Sequence, residues 1–194
     1  MPSGASGSST TNSINVSFSN TATSGNITVY GTNSCGVGAT ATLAVTVNIS
    51  PYIPSSYTQT ICSGDTATVT PANGGGNIVP AGTTYSWGLP TLSSVGVITG
   101  ATAQTGQSSF SQTLTNTTNT QQTAVYNVTA TTGGCSATVF IITVYVNPRP
   151  TVAVSPASPP NVETCSGATI TLTPSNPNGI SGGISYNWSR TTPA

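Results

Sequence analysis

Apolar and polar residues alternate with a period of two along several stretches of the chain. The clearest cases place apolar side chains at Leu43, Val45 and Val47, at Tyr126, Val128 and Ala130, and at Ile142, Val144 and Val146. Such alternation is typical of antiparallel strands that bury one face and expose the other. Clusters of Gly and Asn, such as residues 73–77, separate the stretches and predict turns. Because no segment has the 3.6-residue period of an amphipathic helix, the pattern predicts an all-β protein with negligible helix.

The sequence also repeats itself, with a period of about 100 residues, which is the size of one immunoglobulin-like β-sandwich. Residues 60–71 (TICSGDTATVTP) return as residues 163–174 (ETCSGATITLTP), and a Tyr-x-Trp motif follows each copy. Residues 27–48 return in the same way as residues 126–147. The fold class predicted from these patterns is a tandem series of immunoglobulin-like antiparallel β-sandwiches.

The order of the repeated segments predicts three parts. Residues 1–48 hold the C-terminal half of a repeat, residues 52–147 a complete repeat, and residues 151–194 the N-terminal half of the next one. We expect the chain to be a window from a longer tandem array, with proline-bearing joints that favour a semi-rigid rod. An alternative is that the halves complement each other between copies and build a filament by strand addition.

Charged residues are almost missing from the 194 residues, which contain two acids (Asp65 and Glu163), two arginines (Arg149 and Arg190), no lysine and no histidine. Without a basic face, nucleic acid is not an expected partner. Without histidine or paired carboxylates, general acid–base catalysis and His or carboxylate metal sites are not expected either. We therefore predict a non-enzyme with no catalytic, cofactor-binding or metal-binding residues. Since no apolar run approaches 20 residues, membrane insertion of this segment is not expected.

Four cysteines in a chain without histidine favour disulfides and an oxidising compartment over zinc. Within the complete repeat, Cys62 and Cys135 flank Trp87, an order that predicts a disulfide between the two sheets of the sandwich. The alternative is that both thiols are buried as small apolar groups. By the same repeat logic, Cys35 and Cys165 have their partners outside the chain and stay unpaired within it. In the filament alternative, Cys165 of one copy would meet Cys35 of the next.

The two tryptophans, Trp87 and Trp188, occupy equivalent places in the Tyr-x-Trp motifs of the two copies. Their recurrence on a strand predicts that both are core residues. The alternative is an aromatic platform that stacks on carbohydrate, which would require these side chains to be exposed.

Several segments resemble the PKD-like (Ig-like) repeats of giant Bacteroidetes surface proteins, among which gliding-motility adhesins are examples. The segments that carry the resemblance are residues 61–65, 85–87, 113–116, 126–131 and 144–148. The resemblance implies export by the type IX secretion system and display at the bacterial cell surface as a long filament. It also implies neighbouring repeats of the same chain as partners, with surface polysaccharide or the secretion and motility machinery as further candidates.

Residues 65–67 (Asp-Thr-Ala) are similar to the acceptor sequence for O-glycosylation in Bacteroidetes, which makes Thr66 a candidate modification site. The plain alternative is that Asp65 is a turn residue. Together, these observations predict a structural stalk segment of an extracellular, filamentous cell-surface adhesin that serves adhesion or gliding motility. A carbohydrate-binding β-sandwich, an accessory domain of a secreted enzyme and the protomer of a strand-complemented filament are the alternatives.

Overall fold

The computed structural model describes residues 1–9, 11–136, 139–155, 163–180 and 183–189, and every helix or strand element within them is a strand. The N-terminal part forms three separate antiparallel pairs, β1 with β2, β3 with β6, and β4 with β5. The bounds are β1 (Ala5–Ser6), β2 (Ser17–Phe18), β3 (Gly25–Val29), β4 (Thr32–Asn33), β5 (Gly36–Val37) and β6 (Ala41–Val45).

The middle of the chain forms a two-layered structure that we call the central sandwich and define as strands β7 to β17. One layer is a sheet in the order β12-β9-β15-β17-β7, with β10 and β16 also paired to β15; the other contains the pairs β13–β8 and β11–β14. The bounds are β7 (Tyr57–Cys62), β8 (Thr66–Val69), β9 (Thr84–Trp87), β10 (Thr91–Leu92), β11 (Ile98–Thr99), β12 (Gln104–Gln107), β13 (Phe110–Thr113), β14 (Thr115–Asn116), β15 (Gln122–Thr132), β16 (Cys135–Ser136) and β17 (Phe140–Asn147).

Strand β17 has neighbours of opposite direction on its two sides. It pairs antiparallel with β15, from Val128 opposite Phe140 to Gln122 opposite Val146. It pairs parallel with β7, from Tyr57 beside Ile142 to Cys62 beside Asn147. The strands of the sheet are therefore not all antiparallel as the alternation pattern predicted, because a two-residue period is the same for both directions.

The core fills the space between the two layers with the alternating apolar residues of β8, β9, β13, β15 and β17. Aromatic rings form its centre: the ring centroid of Phe110 lies 4.9 Å from Trp87 and 4.8 Å from Tyr126. Tilted and edge-on contacts at this range add to the free energy gained from area burial. The all-β, sandwich-like fold predicted from the sequence is thus confirmed.

One buried polar side chain in this core, Gln112, has hydrogen-bond partners for both its oxygen and its nitrogen. The Gln112 side chain is 5% exposed, and its Oε1 accepts a hydrogen bond of 2.8 Å from the backbone N–H of Thr102. Its Nε2 donates to the carbonyl oxygen of Ser111 at 2.9 Å. The carbonyl of Thr102 in turn accepts from Trp87 Nε1 at 3.1 Å. A buried polar group satisfied in this way avoids a desolvation cost of about 1–3 kcal/mol.

The last part of the chain forms one antiparallel pair, β18 (Ala153–Ser155) with β19 (Thr173–Ser175). Here, as in the first part, residues that match core positions remain in contact with solvent. Leu43 is 64% exposed, whereas Ile142, its equivalent in the complete repeat, is fully buried. Pairing among the described residues does not join either flanking part to the sheet of the central sandwich. The predicted boundaries at 1–48, 52–147 and 151–194 stay predictions.

Candidate functional site: the two ends of the central sandwich

The flanking segments meet the central sandwich at its two opposite ends. The entry end is the hairpin between β15 and β16, which lies beside Asn48. The exit end is the turn that follows Cys62, where Asn147 ends β17. Strand β17 is eight residues long and separates the two ends. At about 3.3 Å per residue, their separation is more than about 20 Å.

The cysteines of the complete repeat lie at these two ends, so the predicted disulfide between Cys62 and Cys135 is wrong. Cys62 lies at the exit end and Cys135 at the entry end. A disulfide needs Cα atoms within about 7 Å of each other. All four cysteines, which the described residues include, are free; Cys35, Cys62 and Cys165 are exposed and Cys135 is partly exposed. The alternative of two buried thiols is therefore also wrong.

Trp87 packs against the ring of Phe110 in the core rather than against a disulfide. Trp87 is 4% exposed, whereas Trp188, predicted to be its equivalent, is 59% exposed. In the described residues around Trp188, one short strand pair is formed and no second layer covers the tryptophan. The expectation that Trp188 is a core residue is therefore not met in this structure.

At the entry end, Asn48 contacts the hairpin through both its side chain and its backbone. Its Nδ2 donates a hydrogen bond of 2.9 Å to the carbonyl oxygen of Gly133. Its carbonyl oxygen lies 3.6 Å from the Cys135 Sγ, which donates to it. Gly133 has a φ of +53°, and a Cβ placed on it would lie 2.8 Å from the Asn48 side chain. Glycine is thus required here both by the turn and by the neighbour.

At the exit end, Arg149 holds the turn that contains Asp65. Its Nη2 lies 2.5 Å from Asp65 Oδ1, and its Nε donates to the carbonyl oxygen of Ser63. Both charged side chains remain about half exposed, so solvent screens the ion pair. Asp65 is also a turn residue, as its alternative interpretation proposed, because its N–H donates to the Cys62 carbonyl at 3.0 Å. Sequence reasoning missed the pair, since Arg149 lies 84 positions from Asp65.

The same arginine contacts the segment that follows. Asn178 Nδ2 donates a hydrogen bond of 2.9 Å to the carbonyl oxygen of Arg149, and Asn178 Oδ1 accepts from the Thr151 N–H at 3.2 Å. An open, polar cleft of about 590 Å³ lies between these residues and the Ser63 turn. Each end of the central sandwich is therefore bonded to the flanking segment beside it.

Thr66, the candidate glycosylation site, begins strand β8 and is exposed. Its hydroxyl shares a hydrogen bond of 2.7 Å with the hydroxyl of Thr113 on the paired strand β13. The modification itself stays a prediction.

Two tyrosines of the core have raised pKa values. Burial raises the pKa of Tyr126 well above its ordinary value of 10.0. Burial, followed by the nearby Tyr57 phenol, raises the pKa of Tyr85. In both cases the low-dielectric surroundings disfavour the phenolate, so the neutral phenol is the form that the fold accommodates.

The described residues contain no cluster of three or more His, Cys, Asp or Glu side chains that could hold a metal ion. None of the described segments forms a helix of the length and apolarity needed to cross a membrane.

Comparison with known proteins places a PKD-like domain in this chain. The PKD-like domain family matches residues 59–150, which span strands β7 to β17 and both ends of the central sandwich. A comparison with curated proteins finds no match. The match, together with the immunoglobulin-like sandwich, indicates an extracellular module of the structural or adhesion type. Domains of this class are generally non-catalytic.

Proposed function

We propose that this chain is a stalk segment of a long, filamentous adhesin at the bacterial cell surface, serving adhesion or gliding motility. The observation that carries the proposal is that the chain enters the central sandwich at one end and leaves it at the other. Contacts with Asn48 on one side and with Arg149 and Asn178 on the other would then set the angle between consecutive units. Such in-line modules extend the reach of a surface protein and transmit force along it.

The parallel pair of β7 and β17 suits this mechanical role. Tension applied at the two ends pulls β7 toward the entry end and β17 toward the exit end. The six register pairs of this ladder, from Tyr57 beside Ile142 to Cys62 beside Asn147, are then loaded in shear and resist together. Hydrogen bonds that are loaded together in shear must break nearly simultaneously, which requires a high force. A hairpin pulled from one end instead opens one bond at a time.

The export route and the partners belong to the same proposal. The resemblance to Bacteroidetes surface repeats supports export by the type IX secretion system, neighbouring repeats as partners, and surface polysaccharide or motility machinery as distal contacts. A carbohydrate-binding module is the rival function. It would need the Tyr-x-Trp motif of the central sandwich to be exposed, but Tyr85 and Trp87 are both buried there. Retention of the chain on agarose or cellulose beads would favour that rival.

Single-molecule force spectroscopy of the full chain tests the stalk function. The Ser63 N–H donates to the Asn147 carbonyl, so by alternation the N–H groups of Ile61 and Gln59 also face β17. Gln59→Pro removes one donor from the ladder and should clearly lower the unfolding force of the central sandwich. Thr60→Pro is the matched control, because its N–H faces the free edge of β7, where proline is tolerated. Equal unfolding forces for the two variants would contradict a load-bearing ladder.

A further inference from the structure

Two asparagines occupy the same place in successive repeats. Asn48 ends residues 43–48, and Asn147 ends the matching residues 142–147. In the central sandwich, Asn147 is the register partner of Cys62. In the unit to which residues 1–48 belong, the cysteine equivalent to Cys62 would therefore lie beside Asn48.

The same asparagine is also in contact with the next unit. The Sγ of Cys135 lies 3.6 Å from the carbonyl oxygen of Asn48, and the Asn48 side chain is bonded to the hairpin that precedes Cys135. Asn48 thus contacts a late cysteine of the following repeat, and it would lie beside the early cysteine of its own repeat.

We propose that adjacent repeats are joined covalently, by a disulfide between the Cys62-type cysteine of one repeat and the Cys135-type cysteine of the next. This inference rests on the proposed function, because it requires repeats in series. It accounts for the free cysteines in this chain: the partner of Cys62 belongs to the repeat that follows, and the partner of Cys135 to the one that precedes. Cys165 is of the first type and Cys35 of the second.

The geometry of both thiols suits such a bond. Along β7, Tyr57, Gln59 and Ile61 are partly buried while Thr58, Thr60 and Cys62 are exposed, so the Cys62 side chain points away from the core. Neighbouring strands lie about 4.8 Å apart, so a Cys62-type residue would lie about that far from Asn48, whose carbonyl oxygen is 3.6 Å from the Cys135 Sγ. Both cysteines would thus lie next to Asn48, and a disulfide between them requires that their Cα atoms come within about 4.4–6.8 Å of each other.

The bond requires an oxidant, for which a disulfide-carrying thiol oxidant such as oxidised glutathione suffices. One cysteine thiolate attacks the oxidant's disulfide and forms a mixed disulfide, which releases one oxidant thiol. The second cysteine thiolate then attacks the protein sulfur of that mixed disulfide and displaces the other oxidant thiol. The two cysteines lose two protons and two electrons, and the oxidant becomes two thiols.

A head-to-tail fusion of two copies of the full chain tests the proposal, because residues 151–194 of the first copy and 1–48 of the second supply one further repeat. After refolding with oxidised glutathione, non-reducing peptide mass spectrometry should find Cys62 of the first copy bonded to Cys35 of the second. It should likewise find Cys165 of the first bonded to Cys135 of the second. Cys62→Ser in the first copy should abolish the first bond and leave the second. If these four cysteines are found as free thiols, or are paired within one repeat, the inference is overturned.

A variant of the single chain tests the same contact without the fusion. Asn48→Cys places a thiol at this contact, and under oxidised glutathione it should form a disulfide with Cys135. The control, Asn48→Cys with Cys135→Ser, should keep its thiol at position 48. If Asn48→Cys does not cross-link, the two ends are not adjacent and the proposal fails.

Small-angle X-ray scattering of the fusion separates this inference from the stalk function on which it rests. An elongated fusion that lacks both cross-repeat disulfides would support the stalk and contradict the covalent link. A compact fusion that carries the cross-repeat disulfides would support the covalent link and contradict the stalk function.

Discussion

The carbonyl oxygen of Gly133 and the side-chain amide of Asn48 are joined by a hydrogen bond of 2.9 Å at the entry end of the central sandwich. This bond ties a β-hairpin to the segment that precedes the sandwich by a contact between residues 85 positions apart. It exists because Gly133 has no side chain: a Cβ there would collide with Asn48.

Replacing Gly133 should therefore release the entry contact. Gly133→Ala should lower the free energy of unfolding by about 1 kcal/mol, because alanine is strained at a positive φ. The added Cβ should also displace the Asn48 side chain. Gly134→Ala is the matched control, since Gly134 has a φ of +80° but open space around its Cβ position. Hydrogen–deuterium exchange should show faster exchange of residues 45–50 in the first variant than in the second. Equal rates would mean that the bond does not hold the segment.

The ion pair of Arg149 and Asp65 should contribute little to unfolding free energy, because both side chains are about half exposed. A double-mutant cycle with Arg149→Ala and Asp65→Ala should give a coupling free energy of about 0.2–1 kcal/mol at low salt. Urea unfolding at high salt should show a smaller coupling, since ions screen exposed charges. A coupling that is unchanged by salt would contradict a solvent-exposed pair.

The two tryptophans should respond in opposite ways to truncation. Trp87→Ala removes a buried ring that contacts Phe110, and should lower the free energy of unfolding by about 3–5 kcal/mol. Trp188→Ala removes a ring that is mostly in solvent, and should change that free energy by less than about 0.5 kcal/mol. Denaturant unfolding of the two variants measures the contrast. A large loss for Trp188→Ala would show that its segment packs as a second core.

Alkaline pH should unfold the central sandwich, and Tyr126 should account for much of the effect. Its pKa is raised by burial in the folded state, so the unfolded state loses its proton first as the pH rises. The stability that the neutral phenol contributes is present in full below pH 10.0 and is lost as the pH rises above it.

Tyr126→Phe should therefore flatten the decline of the unfolding free energy above pH 10.0, measured by urea titration at a series of pH values. The loss of the weak hydrogen bond to Gln112, at 3.4 Å, should have only a small cost. Tyr30→Phe is the control, because it removes the hydroxyl of an exposed tyrosine outside the core. Identical profiles for Tyr126→Phe and the unmodified protein would contradict this assignment.

Much of the central sandwich follows from local patterns. The alternation at residues 126–130 and 142–146 predicts strands with the apolar face that the structure buries. The same alternation in residues 43–47 does not produce a buried face in this structure, because burial also needs a second layer, which a strand's own sequence cannot supply.

The error over Cys62 and Cys135 has a comparable origin. The order Cys, Trp, Cys in one repeat matches the arrangement of an immunoglobulin-type disulfide, but the order does not state at which end of a strand each cysteine lies. Cys62 is the last residue of β7, and Cys135 lies in the hairpin before β17 begins. The parallel register of β7 and β17 places them at opposite ends.

From the sequence alone came the all-β class, the repeat of about 100 residues and the turns, since each depends on neighbours in the chain or on self-similarity. Only the tertiary structure decided the parallel direction of β7, the meeting of Arg149 with Asp65 and of Asn48 with Gly133, and the separation of the two cysteines. These depend on how strands distant in sequence are ordered and aligned in a sheet. A period of two residues carries no information about that order, because every direction and every even shift of register buries the same face.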